Sequence, residues 1–113
     1  MLHLTLPEHC QGGTSFWRHR ATGWLKRPDD ATVRMAGFVD FKSFLRAETP
    51  LAGDRAFQQL AAERAKWQRL LTLPMRFNRL VVYRSNYFHA VDSIFGHDFD
   101  DGRLTWLFTF EAC

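Results

Sequence analysis

A histidine on one short strand and an arginine opening a later one are the side chains best suited to chemistry in this sequence. Alternation over residues 87–91 places Tyr87, His89 and Val91 on one face of a predicted strand. A second predicted strand over residues 103–111 sets Arg103, Thr105, Leu107 and Thr109 on one side, and Leu104, Trp106, Phe108 and Phe110 on the other. A neutral imidazole is a good ligand for Fe(II), and a rigid strand fixes its direction. A guanidinium meets a carboxylate with two parallel hydrogen bonds, and Thr105, two residues on, projects from the same face to add a third. The two residue types point to a metal-facing imidazole and a clamp for a small organic acid. A lone strand histidine is more often packed or solvated, and a strand-opening arginine is more often a solvated charge, so context has to decide.

Other reactive side chains carry less. His3, His9, Asp92 and His97 have no spacing that resembles a chelate. Cys10 and Cys113 are far apart and outside any C-x-x-C pattern, which predicts two free thiols. Arg18, Arg20, Lys26 and Arg27 lie close to Trp17 and Trp24, a combination able to meet phosphate or nucleic acid. No nucleic-acid-binding motif accompanies it, so a solvated basic loop is the expectation.

The positioning elements follow from periodicity. Residues 1–6 alternate weakly and stop at Pro7, as a short strand does on reaching a turn. After Gln11-Gly12-Gly13, residues 14–17 predict a second strand, the glycines allowing a bend before it. Pro28, Asp29 and Asp30 make residues 24–32 a predicted surface loop. Over residues 33–48, Phe38, Phe41 and Leu45 fit a helix while Val39 and Phe41 also fit alternation, and the helix is preferred. Asp54 is a candidate cap for a helix whose face carries Phe57, Leu60, Ala61, Trp67 and Leu71, with Arg64, Lys66 and Arg69 towards its negative end and Pro74 stopping it. Residues 76–83 predict a strand buried on both faces, with Phe77, Val81 and Tyr83 opposite Leu80 and Val82; a turn over 84–86 and a polar loop over 96–102 follow.

With 113 residues, 46% of them hydrophobic, the chain is long enough for one core and too short for two, which predicts a single domain over residues 1–113. Eleven Phe and four Trp argue against disorder and predict a ring-rich interior. The longest apolar runs fall far short of the roughly 20 residues that a membrane span needs, and residues 1–7 lack a basic leader region. A cytoplasmic location is expected.

Two segments carry a resemblance. Asn78-Arg-Leu-Val-Val-Tyr-Arg-Ser-Asn-Tyr-Phe-His-Ala-Val91, followed by Gly102-Arg-Leu-Thr-Trp-Leu-Phe-Thr-Phe110, resembles the end of 2-oxoglutarate/Fe(II) dioxygenases of the prolyl 4-hydroxylase-like branch and an allied uncharacterised bacterial family. His9-Cys10-Gln11-Gly12-Gly13-Thr14-Ser15-Phe16 is similar to the Gly-Gly-x-x-Phe segment that opens the middle strands of the same barrel. The resemblance implies a mainly β, α+β fold with one or two helices, forming part of a double-stranded β-helix of the jelly-roll or cupin kind. It implies that His89 is the last iron ligand, that Arg103 and Thr105 bind the distal carboxylate of 2-oxoglutarate, and that Tyr83 and Asn86 line the pocket. The implied activity is hydroxylation through a ferryl species as the co-substrate is decarboxylated. Residues 24–72 match nothing in the pattern and read as an insertion or cover.

The pattern's other two iron ligands come from a His-x-Asp or His-x-Glu motif upstream of the Gly-Gly segment. Here His3 is followed at that spacing by Thr5, His9 by Gln11, His19 by Ala21, His89 by Val91 and His97 by Phe99. The expectation is an N-terminally incomplete barrel that binds iron weakly and turns over poorly. Its exposed sheet edges predict a homo-oligomer. A non-catalytic barrel serving as an interaction or small-acid-binding module is the alternative, and a nucleic-acid binder using the Arg/Trp cluster is weaker still.

Overall fold

The computed structural model describes residues 1–49 and 66–111. These residues form a mainly β fold with two helices. The order is β1 (Leu2–His3), a 3-10 turn (Pro7–His9), β2 (Gly13–His19), α1 (Asp30–Met35), α2 (Phe41–Glu48), β3 (Trp67–Pro74), β4 (His89–Val91) and β5 (Thr105–Trp106). β2 is the centre of an antiparallel three-stranded sheet, ordered β3-β2-β4, and β1 pairs with β5 in a second, two-stranded sheet.

β2 forms where alternation and the glycines predict it, and extends two residues further, to His19. Gly13 is needed for closeness: a Cβ there would run into the Leu73 carbonyl of β3. The β2–β3 register runs from Gly13↔Pro74 to Phe16↔Leu71, then shifts to Trp17↔Arg69, so Leu70 is the extra residue of a bulge. That shift brings Arg69 to the Trp17 side of the sheet, its guanidinium carbon 4.9 Å from the ring centre.

Residues 67–74 correct the helix expected through Trp67 and Leu71. They are a strand, because the seven-residue β2 needs a partner along this edge and a continuous ladder overrides a helical spacing that Trp67 and Leu71 also satisfy. The rest of that expected helix, with its cap at Asp54, lies outside the described residues. Trp67 caps a helix of its own: its indole Nε1–H donates to the Glu48 carbonyl at the end of α2 (2.9 Å).

One face of the three-stranded sheet carries Trp17, His19, Trp67 and Phe88. The helices close over it, with Phe44 at 0% exposure in the middle and Trp24, Phe38, Phe41 and Leu45 around it. Phe44 stacks with Phe41 and meets Phe38 edge-on. Each helix starts on an aspartate within a segment where caps decide the boundary: Asp29 accepts from Thr32 N–H and Asp40 from Ser43 N–H, both at 2.7 Å. α1 therefore begins inside the segment expected to be loop. His19 ties the helical cover to the sheet, with Nδ1 bonded to Thr22 Oγ1 (2.8 Å) and Nε2 to Glu48 (3.3 Å).

The strand expected over residues 76–83 is largely irregular. Asn78 adopts a left-handed φ of 59°, and only Leu80 forms a ladder bridge, to Leu2. The segment still runs beside β1, through His3 N–H to Arg79 O (3.0 Å), Asn78 N–H to His3 O (2.9 Å) and Val81 N–H to Met1 O (2.8 Å). The strand expected over residues 103–111 is regular only at Thr105–Trp106, because β1 offers it just two residues to pair with. Its apolar residues are not enclosed: Trp106, Leu107 and Phe110 are 62%, 66% and 71% exposed.

Candidate functional site

His89 lies directly opposite Phe16 of β2, on the sheet face away from the helices. Its Nδ1 is 2.7 Å from the Tyr87 carbonyl. A carbonyl only accepts, so Nδ1 carries the hydrogen and the neutral ring presents a lone pair at Nε2. Metal-binding histidines are commonly oriented in this way. The ring packs edge-on against Tyr83 at 4.8 Å, and Tyr83 meets Phe16 edge-on at 5.3 Å. His89, Tyr83, Met1, Val81, Ser85 and Phe108 line a recess of about 200 Å³. Burial pushes the Tyr83 phenol up from its ordinary pKa. Asn86 faces a neighbouring open hollow that shares Tyr83, Ser85 and Phe108.

Arg103 and Thr105 stand in a different setting. Thr105 is the register partner of His3 on β1, so their side chains share a face of that sheet. Thr5 draws the strands together: its Oγ1 donates to Gly102 O (3.1 Å) and accepts from Leu104 N–H (2.8 Å), either side of Arg103. The Arg103 guanidinium is half-buried; Nη1 reaches Met75 Sδ at 3.6 Å, and Nη2 is buried without a partner. Burial lowers its pKa, with Asp92 and Cys10 opposing that shift. The Asp92 carboxylate accepts from Ser15 Oγ and sits 3.8 Å from Arg69.

His3 is the functional candidate that sequence reasoning set aside. Its side chain is fully buried. Arg76 N–H donates to Nδ1 (3.4 Å), so in the neutral ring the hydrogen sits on Nε2, and that atom is buried with no partner. Burial lowers the His3 pKa, helped by the positive charges of Arg103, Arg79 and the N-terminal amine. One signal was present: His3 and Thr5 alternate with Leu2, Leu4 and Leu6, which marks a polar face on β1.

The structure thus brings Tyr83 to His89, sets Asn86 nearby, and places Arg103 and Thr105 beside His3. Among the described residues, no hydrogen bond or ring contact joins Arg103 to His89, and the hollow that Arg103 lines is not the recess that His89 lines. Iron held at His89 needs further ligands. No group of three His, Cys, Asp or Glu side chains lies together among the described residues, so these residues alone do not fit the ion. His97 is engaged in its own loop, where Asp101 accepts from the His97 and Asp98 N–H groups, which hold its carboxyl far below the ordinary carboxylate range. Cys10 is free of any disulfide; Cys113 lies outside the described residues. The Arg/Trp cluster divides, with Arg18, Arg20, Lys26 and Arg27 exposed while Trp17 and Trp24 turn into the aromatic core.

The pattern of a family of unknown function, DUF6445, matches residues 1–110, nearly the whole chain. The chain belongs to the DUF6445 family. No curated protein and no solved structure matches it. In this DUF6445 chain no helix among the described residues is long and apolar enough to cross a membrane.

Proposed function

We propose that this DUF6445 chain is a dioxygenase-like β domain, part of a double-stranded β-helix, that binds a small 2-oxo acid such as 2-oxoglutarate through Arg103, with Thr105 beside it. The observation that carries this reading is the Arg103 guanidinium, half removed from water with Nη2 left without an acceptor. Leaving a buried donor unpaired costs about 1–3 kcal/mol, and more when it is charged; a carboxylate is the natural group to supply the missing acceptors. In the same reading His89 offers Nε2 to Fe(II), with Tyr83 and Asn86 at its side. No oxidative step is assigned to the described residues, since they provide no complete ligand set.

Calorimetric titration tests this. 2-Oxoglutarate binds the wild-type chain, and Arg103→Ala weakens binding about 30-fold or more, the usual consequence of removing one partner of a charged pair. Added Mn(II), an oxygen-stable stand-in for Fe(II), binds only weakly, as a single imidazole allows, and His89→Ala removes that binding. Affinity unchanged by Arg103→Ala overturns the assignment.

A small-acid-binding module without turnover is a second reading, favoured by the separate surroundings of Arg103 and His89. It predicts binding indifferent to the metal. Self-association through the exposed Trp106, Leu107 and Phe110 belongs to either reading; a mass by light scattering that stays monomeric at all concentrations removes it.

A further inference from the structure

We propose that His3 is a second donor to the carboxylate held by Arg103, so that the acid is gripped between β1 and the start of β5 by His3 Nε2–H and Arg103 Nη2. The proposal rests on the carboxylate-binding reading of Arg103 and adds a residue that the dioxygenase resemblance does not name.

The two orphaned groups are of one kind. His3 Nε2 and Arg103 Nη2 are both buried and unpartnered, and both are donors: the imidazole because Nδ1 is committed as acceptor to Arg76 N–H, the guanidinium because it has no acceptor at all. Two buried donors cannot satisfy each other. An acceptor has to come from outside, and a carboxylate carries two oxygens for the purpose.

Position supports the pairing. His3 faces Thr105 across the β1–β5 ladder, and Arg103 lies two residues before Thr105. Leu4 N–H bonds Leu104 O (2.9 Å), and Thr5 Oγ1 bonds both neighbours of Arg103, so the ladder is closed on each side of it. The guanidinium is near enough for its charge to help depress the His3 pKa, which keeps the ring neutral and its Nδ1 free to accept. Arg103 also lines an open hollow of about 540 Å³ with Phe95, Phe99 and Leu104, so that part of this residue faces a space large enough for a small anion. Asp92, whose charge acts on Arg103, is already turned to Ser15 and Arg69. Nothing in the ladder itself requires a histidine at position 3, since its backbone makes the Arg79 and Asn78 bonds whatever the side chain.

The test uses succinate, which has the carboxylates but not the 2-oxo group, with no metal present. In the wild-type chain, the His3 Nε2–H resonance moves downfield in nitrogen-proton correlation spectra as succinate is added, with Nε2 remaining the protonated nitrogen. His3→Phe weakens succinate about 10-fold or more, in line with loss of a hydrogen bond to a charged group. His3→Gln, which returns an N–H near the Nε2 position, recovers part of that loss. Succinate binding that depends on Arg103 but leaves the His3 resonance unmoved and His3→Phe unimpaired overturns this inference and leaves the Arg103 reading standing. A His3 response to succinate with no preference for 2-oxoglutarate and no metal effect upholds the inference and removes the dioxygenase-like reading. No binding of either acid to the wild type overturns both, and a buried water then suffices for the two donors.

Discussion

Two histidines of this molecule are set up in opposite ways. His89 is exposed on β4, gives its Nδ1 hydrogen to the Tyr87 carbonyl and is left with a lone pair at Nε2. His3 is buried on β1, accepts at Nδ1 from Arg76 N–H and is left with a hydrogen at Nε2. The same side chain is thereby prepared for a cation in one place and for an anion in the other. Surroundings reinforce the difference: Tyr83 and Phe16 rings flank His89, whereas His3 sits among the positive charges of Arg103, Arg79 and the N-terminal amine.

The sharpest way to break this contrast is stability in the absence of ligand. Arg103→Met removes an orphaned donor and puts a flexible apolar chain beside Met75. It should raise unfolding free energy by about 1–2 kcal/mol, as removal of an unsatisfied buried group does, measured by urea denaturation. A loss of stability instead means that Nη2 is satisfied in solution and that the β1 end is an ordinary structural contact.

Acidification gives a smaller effect with a definite sign. The His3 pKa is lowered in the folded chain, so the unfolded chain binds the proton first, and stability falls as pH drops below the ordinary histidine value of about 6.5. Above that value the ring is neutral in both states and contributes no slope. Thermal melts between pH 7.5 and 5 should show a decline that His3→Gln reduces. A decline that His3→Gln leaves intact assigns it to other groups.

Smallest of all is the effect of His89→Ala on folding, about 0.5 kcal/mol or less, since an exposed ring loses only its contacts with Tyr83 and Phe16 and a solvent-exposed bond to the Tyr87 carbonyl. A cost of several kcal/mol shows His89 to be a structural residue and removes the reason for treating it as a ligand.

Sequence reasoning was most successful where the cause of structure is local. The glycines before Thr14, the alternation through Trp17 and the Phe38/Phe41/Leu45 spacing each led to an element in about the right place. Trp67 and Leu71 misled because three- or four-residue spacing is also available by chance in a strand, and only the β2 edge across the sheet settles the choice. The Leu104, Trp106, Phe108 and Phe110 alternation is real in sequence, yet Trp106 and Phe110 remain exposed because burial depends on what stands opposite. Arg103 and His89 were singled out by the dioxygenase resemblance, with residue type and strand position in support. His3 was passed over because its spacing from other ligating side chains resembles no chelate, whereas its neighbours in space include Arg103 and Arg79.

The amino-acid order by itself determined where chain direction changes and which positions suit a helix cap, a strand or a tight approach, because those depend on backbone sterics and hydrogen bonds within a few residues. Only the tertiary structure decided which nitrogen of each histidine holds its hydrogen and which cations go without an acceptor. Those properties depend on carbonyls, amides and charges that folding brings together from distant parts of the chain, as Arg76 and Arg103 are brought to His3.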